Sequence, residues 1–259
     1  MPSSVVVCLR ATGRAVTALV SPVPVTFTVI IPTLNEARVI QTTLLHTASL
    51  GFDDIVVVDG GSSDDTKRLV EAVAVRSAHS ISATVRLMDS TAGRARQFNT
   101  GAAACTADVL VFLHADSHLP TNARLLIERA LADPAVVGGR FDIRFDRPSM
   151  WGRMISSLMN LRSRLTRIST GDQAIFVRRR TFDRLGGFSD IPIMEDIDFS
   201  RRLKRTGATA AIRERVTTSF RRWEQQGPLR TILLMWCLRF LYWIGISPHR
   251  IANFYADVR

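Results

Sequence analysis

Five apolar residues in a row, Val109-Leu-Val-Phe-Leu113, stop abruptly at His114-Ala-Asp116-Ser-His-Leu-Pro120. A run of that length suits a buried strand, and a carboxylate at its tip suits a ligand for a metal or a phosphate-bearing substrate. Two earlier segments repeat the arrangement. Val25-Thr-Phe-Thr-Val-Ile-Ile31 runs into Pro32-Thr-Leu-Asn35-Glu36, and Ile55-Val-Val-Val58 runs into Asp59-Gly-Gly-Ser-Ser-Asp64-Asp65-Thr66. In an open parallel sheet, ligands bind outside the carboxyl ends of the strands. Polar tips on three strands therefore converge on one pocket, and the chain is expected to be an enzyme.

From Val25 to about Val177 strands and helices alternate, the pattern of an α/β chain with a mostly parallel central sheet flanked by helices. A helix is expected from Glu36, with Ile40, Leu44 and Ala48 on one face. The next begins near Asp64 or Asp65, placing acids in its first turn as the helix dipole favours. Further along, Thr84–Met88 reads as a strand, Gly93–Ala104 as a helix, Val109–Leu113 as a strand and Asn122–Leu131 as a helix closed by Asp133-Pro134. Beyond Gly138-Gly139 the texture changes. Arg140-Phe-Asp-Ile-Arg-Phe-Asp146 alternates with period two, the mark of a strand with one wet face. Ser149–Arg167 reads as a basic amphipathic helix, Asp172–Val177 as a buried strand and Leu185-Gly-Gly-Phe188 as a turn. A helix from Glu195 or Asp196 to Arg205 carries Ile197, Phe199 and Leu203 and stops at Gly207.

The 259 residues suit one α/β domain with an appendage. Residues 25–227 form that domain. Residues 1–24, ending at Ser21-Pro-Val-Pro24, lack an apolar core followed by a cleavage site and read as a poorly ordered leader, not a secretory signal. In residues 228–259 a C-terminal apolar amphipathic helix is expected, since 229–246 are nearly all apolar. A helix lying in the membrane interface fits this segment, with a core or dimer helix as the alternative. A true span would carry Arg239 at its middle, where insertion costs roughly 3 kcal/mol. Three cysteines, Cys8, Cys105 and Cys237, are widely spaced with no metal-ligand pattern, so they read as packing residues in a reducing compartment. The net charge of +11 favours polyanions. No zinc finger, helix-turn-helix or ribonucleoprotein pattern is present, so specific nucleic-acid recognition is not expected. Clustered arginines beside an apolar helix fit an anionic membrane surface better.

Asp59-Gly60-Gly61-Ser62-Ser-Asp64 has the makings of a base and ribose site: a carboxylate at a strand end, glycines for close approach, and a helix N-terminus with free N–H groups. A plain strand-to-helix turn capped by Asp64 is the simpler alternative. Neither Gly-x-Gly-x-x-Gly after the first strand nor a Walker-type loop occurs, which removes the usual signs of a dehydrogenase or P-loop enzyme. Gly93-Arg94-Ala-Arg-Gln97-Phe-Asn99-Thr-Gly101 offers a basic, amide-bearing face for a diphosphate or ribose, or else a solvated helix face. His114-Ala115-Asp116 supplies one hard oxygen and one imidazole. Mg²⁺ is commonly held by one or two carboxylates plus substrate phosphates, and His114 would favour Mn²⁺ or serve as a structural hydrogen-bonder. Met194-Glu195-Asp196-Ile-Asp198 sets acids at a helix start, one of which can be a general base. Arg221-Arg222-Trp223 can meet phosphate, sugar or a membrane interface.

Together, Ile30-Ile-Pro32-Thr33-Leu-Asn35-Glu36, Val58-Asp59-Gly-Gly-Ser-Ser-Asp-Asp-Thr66, Phe112-Leu-His-Ala-Asp-Ser117 and Glu195-Asp196 resemble the family 2 glycosyltransferases with a GT-A fold. The length, the His-Ala-Asp motif and Gly171-Asp-Gln173-Ala174 are similar to a small bacterial branch labelled radical-SAM/selenodomain-associated. The resemblance implies a nucleotide-sugar donor, usually a UDP-sugar, and a divalent metal, Mn²⁺ or Mg²⁺. It assigns Pro32, Thr33, Asn35 and Glu36 to the nucleotide pocket and Asp59 to the base. Gly60, Gly61, Ser62, Asp64, Gly93, Arg94, Gln97, Asn99, His114, Ala115 and Gln173 line the donor site. Asp116 falls at the second, metal-binding aspartate of the family's Asp-x-Asp, and His114 stands at the first. Asp196 matches the presumed base, with Glu195 orienting it or the acceptor. No glutamine precedes Arg222-Trp223 at the spacing of processive members.

The expected reaction is inverting transfer of the sugar to an acceptor hydroxyl of a lipid or small molecule. The expected setting is cytoplasmic, peripheral on the inner face of the plasma membrane, with a homodimer left open. A non-catalytic nucleotide- or membrane-binding module, or a sugar-phosphate nucleotidyltransferase, are the alternatives.

Overall fold

The computed structural model describes residues 25–77, 83–147 and 149–256. The expected leader, residues 1–24, and Cys8 lie outside them. Strand β1 (Phe27–Thr33) leads to helix α1 (Ile40–Ala48), β2 (Asp54–Asp59) to α2 (Thr66–Ser77), and β3 (Thr84–Asp89) to α3 (Arg94–Ala103). Then come β4 (Val109–Phe112), the short β5 (Ser117–His118), α4 (Ala123–Leu131) and β6 (Val136–Phe145). Helix α5 (Met150–Thr166), a 3-10 turn (Gly171–Gln173), β7 (Ile175–Arg178), α6 (Arg179–Arg184) and α7 (Glu195–Leu203) follow. The chain continues through β8 (Ala208–Thr218), α8 (Arg221–Gln226), α9 (Pro228–Trp243) and α10 (Pro248–Ala256).

The strands form one sheet in the order β3-β2-β1-β4-β7-β6-β8-β5. Its first half is parallel, with β1 between β2 and β4. Its second half is mixed: β7 runs antiparallel to β4 and β6, whereas β6 and β8 are parallel. Strand order reverses at β1, so the crevice between the ends of β1 and β4 is the switch point where such sheets take ligands.

Side-chain alternation explains both layers. Phe27, Val29 and Ile31 face the same side as Ile55, Val57, Val109 and Val111, and are covered by Ile40 and Leu44 of α1 and Val70 and Val73 of α2. Ile30, Val56, Val58, Leu110 and Phe112 face the other side, beneath Phe98 of α3 and Phe199 and Leu203 of α7. Each such side chain, fully withdrawn from water, contributes about 1.5–3 kcal/mol. Ala102 and Gly101 let α3 sit close: a Cβ at Gly101 would lie 2.5 Å from Ile30 Cγ2 and 3.0 Å from Val58 Cγ2. Overpacking costs about 1–3 kcal/mol, and the better helix propensity of alanine returns up to about 1. Gly101→Ala is therefore expected to destabilise by about 1–2 kcal/mol in urea unfolding; a neutral or stabilising result would contradict this packing.

Several local expectations are corrected. Helix α1 starts at Ile40 because residues 36–39 form a turn closed by Val39 N–H donating to the Glu36 carbonyl, 3.0 Å. Asp64 and Asp65 precede α2 and lie outside its first turn. Gly171–Gln173 is a 3-10 turn, so the strand expected from Asp172 starts at Ile175. The wet face expected on β6 is wet only at its far end, at Arg144 and Asp146. Arg140 and Asp142 are buried and paired at 2.6 Å, with Arg164 of α5 also on Asp142. Helix α5 lies over them, and Asn160 exchanges hydrogen bonds with the Ile143 backbone at 2.9 and 3.0 Å. Of the cysteines, Cys105 is half-buried but Cys237 is exposed, so packing does not account for it.

No helix among the described residues is long and apolar enough to cross a membrane. Helix α9 has Pro228 at its first turn and buries Thr231 and Leu238. It packs, with Ile251 of α10, on Ile193, Met194 and Ile197 at the start of α7.

Candidate active site

The turns after β1 and β2 are stitched together. Thr33 Oγ1 and Ser62 Oγ donate to Asp59 Oδ1 at 3.0 and 2.5 Å, and the Gly61 and Ser62 N–H groups donate to Oδ2 at 2.9 and 2.7 Å. Burial pushes the Asp59 carboxyl up, but these bonds, led by Ser62, outweigh it and hold it below its usual range. Asp59 is fully buried. In this conformation its oxygens organise the turn and are not presented to a base. Asn35, at φ 56°, accepts from Ser63 N–H at 2.9 Å and donates its own N–H to Ser62 Oγ. The Glu36 N–H donates to Thr66 Oγ1 at 2.8 Å, and Asp64 receives the N–H groups of Ala37 and Thr66. Pro32, Thr33, Asn35, Glu36, Gly60, Gly61, Ser62 and Asp64 are thus gathered at two adjoining strand tips.

Three of the amides expected at the donor site make structural hydrogen bonds in this conformation. Gln97 is buried and donates to the carbonyls of Thr33 and Val58, both at 2.8 Å, locking the two strand ends. Asn99 exchanges hydrogen bonds with the Phe188 backbone and pins the turn at Gly186–Gly187. The Gln173 carbonyl oxygen accepts from Ser163 Oγ and the Thr170 N–H, closing a capping box. Gln97 and Asn99 are satisfied by groups far away in sequence, which a local motif cannot reveal. The Gln173 oxygen instead bonds within its own turn and to α5, and its Nε2 has no hydrogen-bond partner among the described residues. The Ala115 carbonyl likewise accepts from Thr43 Oγ1 at 2.6 Å, tying the β4 tip to α1.

The charged residues gather on the other side of the crevice. Arg94, directly after Gly93 (φ 134°), pairs through Nε with Glu195 Oε1 at 2.9 Å. The sequence sets Arg94 toward a diphosphate, and in this conformation it is paired with that acid. Asp196 has both oxygens oriented by backbone: Oδ2 accepts from Gly171 N–H at 2.8 Å and Oδ1 from Ile197 N–H at 2.7 Å. Gly171 also touches the β4 tip, where a Cβ would fall 2.4 Å from His114 Nε2. Burial, with the Arg94 charge, pushes the His114 imidazole down to about 3, so it is neutral near pH 7. Burial pushes the Asp116 carboxyl up. Its Oδ1 accepts from Ser117 Oγ at 3.4 Å.

Asp172 and Arg162 complete the cluster and were not nominated. Burial pushes the Asp172 carboxyl up and the Arg162 guanidinium charge down, while each feels the other and Asp196. Arg162 looks like one more cation on a basic helix, and only the fold turns it inward. Asp172, inside Gly171-Asp-Gln-Ala174, could have been singled out from that motif.

Five buried side-chain atoms lack a hydrogen-bond partner among the described residues: His114 Nε2, Arg162 Nε, Asp172 Oδ1, Gln173 Nε2 and Glu195 Oε2. Each such atom costs about 1–3 kcal/mol. The contacts of Gly171, Asp196 and Arg94 link them into one region, and polar atoms left unsatisfied together are what a polar ligand would satisfy.

Burial pushes Glu195 up to about 7; Arg94 opposes the shift and Asp196 adds to it. The unfolded chain releases this proton near 4.5 and the native one near 7, so the native state holds the extra proton between them. Stability from this group is present below about pH 4.5 and is lost as pH rises through about 7. Glu195→Gln should therefore flatten the decline of unfolding free energy across that window in denaturant titrations. An unchanged slope would contradict the assignment.

Among the described residues no cluster of three or more His, Cys, Asp or Glu could close a metal site. Asp116 offers a hard oxygen and His114 a neutral, unpartnered nitrogen, the donor types that a divalent ion takes alongside diphosphate and water ligands. The side chain of Arg222 is not described; its neighbour Trp223 packs on Phe145, 5.9 Å between ring centroids.

Residues 28–186 match the sequence profile of the family described as glycosyl transferase family 2. Over 157 residues the chain is 32% identical to a protein of Pseudomonas paraeruginosa named undecaprenyl-phosphate 4-deoxy-4-formamido-L-arabinose transferase, covering 58% of this chain and 45% of that one. The mannosyltransferase PcManGT from Pyrobaculum calidifontis, solved in complex with GDP-Man and Mn²⁺, aligns with a TM-score of 0.60 at 24% identity over 74% of this chain and 56% of that one. S. aureus TarS 1-349 in complex with UDP aligns with a TM-score of 0.55 at 16% identity over 75% of this chain and 61% of that one. The likeness extends to the GT-A fold, and the chain spans about half the length of the first two relatives.

Proposed function

The chain belongs to glycosyl transferase family 2, and from that premise we propose that it transfers a sugar from a nucleotide-sugar, a UDP-sugar, to an acceptor hydroxyl with inversion. The observation that carries this is the set of unpartnered polar atoms at the switch point, ringed by Asp116, Asp172, Glu195 and Asp196 and by Arg94 and Arg162. That donor and acceptor set suits a sugar bearing a diphosphate. The two stitched turns after β1 and β2 form the nucleotide end. Asp116, with His114 beside it, would hold Mn²⁺ or Mg²⁺, which supplies positive charge opposite the leaving diphosphate. The two solved relatives in complex with GDP-Man and Mn²⁺ or with UDP support this reading.

In the reaction Asp196 takes the proton of the acceptor hydroxyl as its oxygen bonds to the anomeric carbon. The bond from that carbon to the diphosphate oxygen breaks on the opposite face. The two backbone N–H groups on Asp196 fix the base before the acceptor arrives, so little reorganisation is needed. Arg94 holds Glu195 alongside. A second reading is favoured by the relative named as an undecaprenyl-phosphate transferase: a lipid phosphate as acceptor. A phosphate oxygen is already ionised and would need no base.

The direct test is thermal unfolding with UDP, GDP, ADP and CMP, each with and without Mn²⁺ or Mg²⁺. A ligand at 100 times its Kd stabilises by about 2.7 kcal/mol. A metal-dependent shift with UDP is expected. Absence of a shift with every nucleotide, on folded protein, would transfer support to a non-catalytic module, and release of pyrophosphate from a nucleoside triphosphate would reveal a nucleotidyltransferase.

A further inference from the structure

Helix α5 exposes Met150, Met154, Leu158, Leu161 and Leu165. These residues recur at helical spacing and form one stripe. Helix α9 exposes a second stripe, Leu229, Leu233, Trp236, Phe240 and Trp243, with Trp243 73% exposed. Behind it, Leu238 is fully buried and Leu234 and Met235 pack in the same cluster, so α9 is apolar on both faces while only one is covered by protein. Such a helix calls for an apolar environment on its free side.

The two helices belong to one side of the molecule. At the start of α5, Arg147 pairs with Glu224 of α8 at 2.9 Å, and Phe145 packs on Trp223. Beyond its end, Ile168 joins the cluster that holds Met194, Leu238 and Ile251. Glu195 and Asp196 follow Met194 directly, so this side borders the candidate site.

Charge selects the occupant. Residues 149–171 and 228–256 contain no Asp or Glu, and Arg153, Arg167, Arg230 and Arg250 are exposed along them, Arg164 being paired with Asp142. A second copy docked by the same faces would set arginines against arginines with no acid to answer them. Anionic headgroups around a shallow apolar insertion answer both features. We propose that the α5 and α9 stripes form a single monotopic surface that docks this chain on an anionic lipid bilayer, with the catalytic acids at headgroup level. Docking of this kind is independent of the donor chemistry, so vesicle binding and turnover can fail separately.

The test is co-sedimentation of the full chain with vesicles of phosphatidylcholine alone and of phosphatidylcholine mixed with phosphatidylglycerol, at low and high salt. Binding is expected on the mixed vesicles and should weaken with salt. Leu158→Glu with Leu165→Glu, and separately Leu233→Glu with Trp236→Glu, should each lower partitioning about tenfold or more. These side chains are exposed, so circular dichroism and the unfolding midpoint should match the parent, as should donor hydrolysis in solution. Brominated acyl chains should quench tryptophan emission, and Trp236→Phe with Trp243→Phe should remove the α9 share of that quenching, leaving the share of Trp151, which is exposed on α5. No binding to mixed vesicles at low salt, or variants that bind like the parent, would overturn the proposal. So would a parent dimer in sedimentation equilibrium that the α9 variant breaks.

Discussion

Asp196→Asn is expected to lower kcat by about 10²–10⁴-fold, the range contributed by a positioned general base. The donor KM should hold, because the asparagine keeps the size of the side chain and one oxygen for the Gly171 N–H. It loses the acceptor for the Ile197 N–H, so the unfolding midpoint without ligand is compared with the parent first. Nucleotide-induced thermal stabilisation should likewise persist. The comparison isolates proton removal from folding and donor binding. A variant with nearly parental kcat would exclude the hydroxyl reading and favour an acceptor that arrives ionised, as a lipid phosphate does. Glu195→Gln serves as the partner experiment, since it removes the charge held by Arg94 while leaving Asp196 in place.

Asp116→Ala is expected to have the other large effect. It removes the one carboxylate at the β4 tip, next to His114, so the donor diphosphate would lose its shared ion. A fall in turnover of about 10³-fold or more is expected, since a metal supplies several kcal/mol of charge stabilisation. The metal-dependent part of the UDP-induced thermal shift should vanish with it. Thermal stability without ligand should not fall, because burial pushes the Asp116 carboxyl up and its charged form is a cost in the native state. Retained metal-dependent binding in this variant would move the ion to other residues.

Much of the fold was legible because strands and helices have fixed periods. Val29, Ile31, Val57 and Val111 share one face of the sheet and Ile30, Val56 and Leu110 the other, as alternation requires. The strand tips were legible too, since an apolar run that ends in Asp59 or in His114-Ala-Asp116 announces its own terminus. Boundaries were less so. Glu36 and Asp64 look like helix starts, yet their hydrogen bonds bridge two loops and leave α1 and α2 to begin later.

The candidate site divides in the same way. The acids Glu195 and Asp196 stand out at a helix start, and membership of the family follows from motifs in the chain. That Asp59 is sealed inside its turn, that Gln97 and Asn99 clamp backbone, and that Arg162 and Asp172 turn toward Asp196 are outcomes of long-range packing. Arg140 and Asp142 make the point most plainly. Their period-two spacing means a wet face on an isolated strand and a buried ion pair once α5 lies across it.

The sequence by itself therefore determined the strand periods, the polar strand tips and the family. The tertiary structure decided which charged groups lose their water and which unpartnered atoms share one crevice. Periodicity is a property of neighbouring residues, whereas desolvation depends on what lies across the fold.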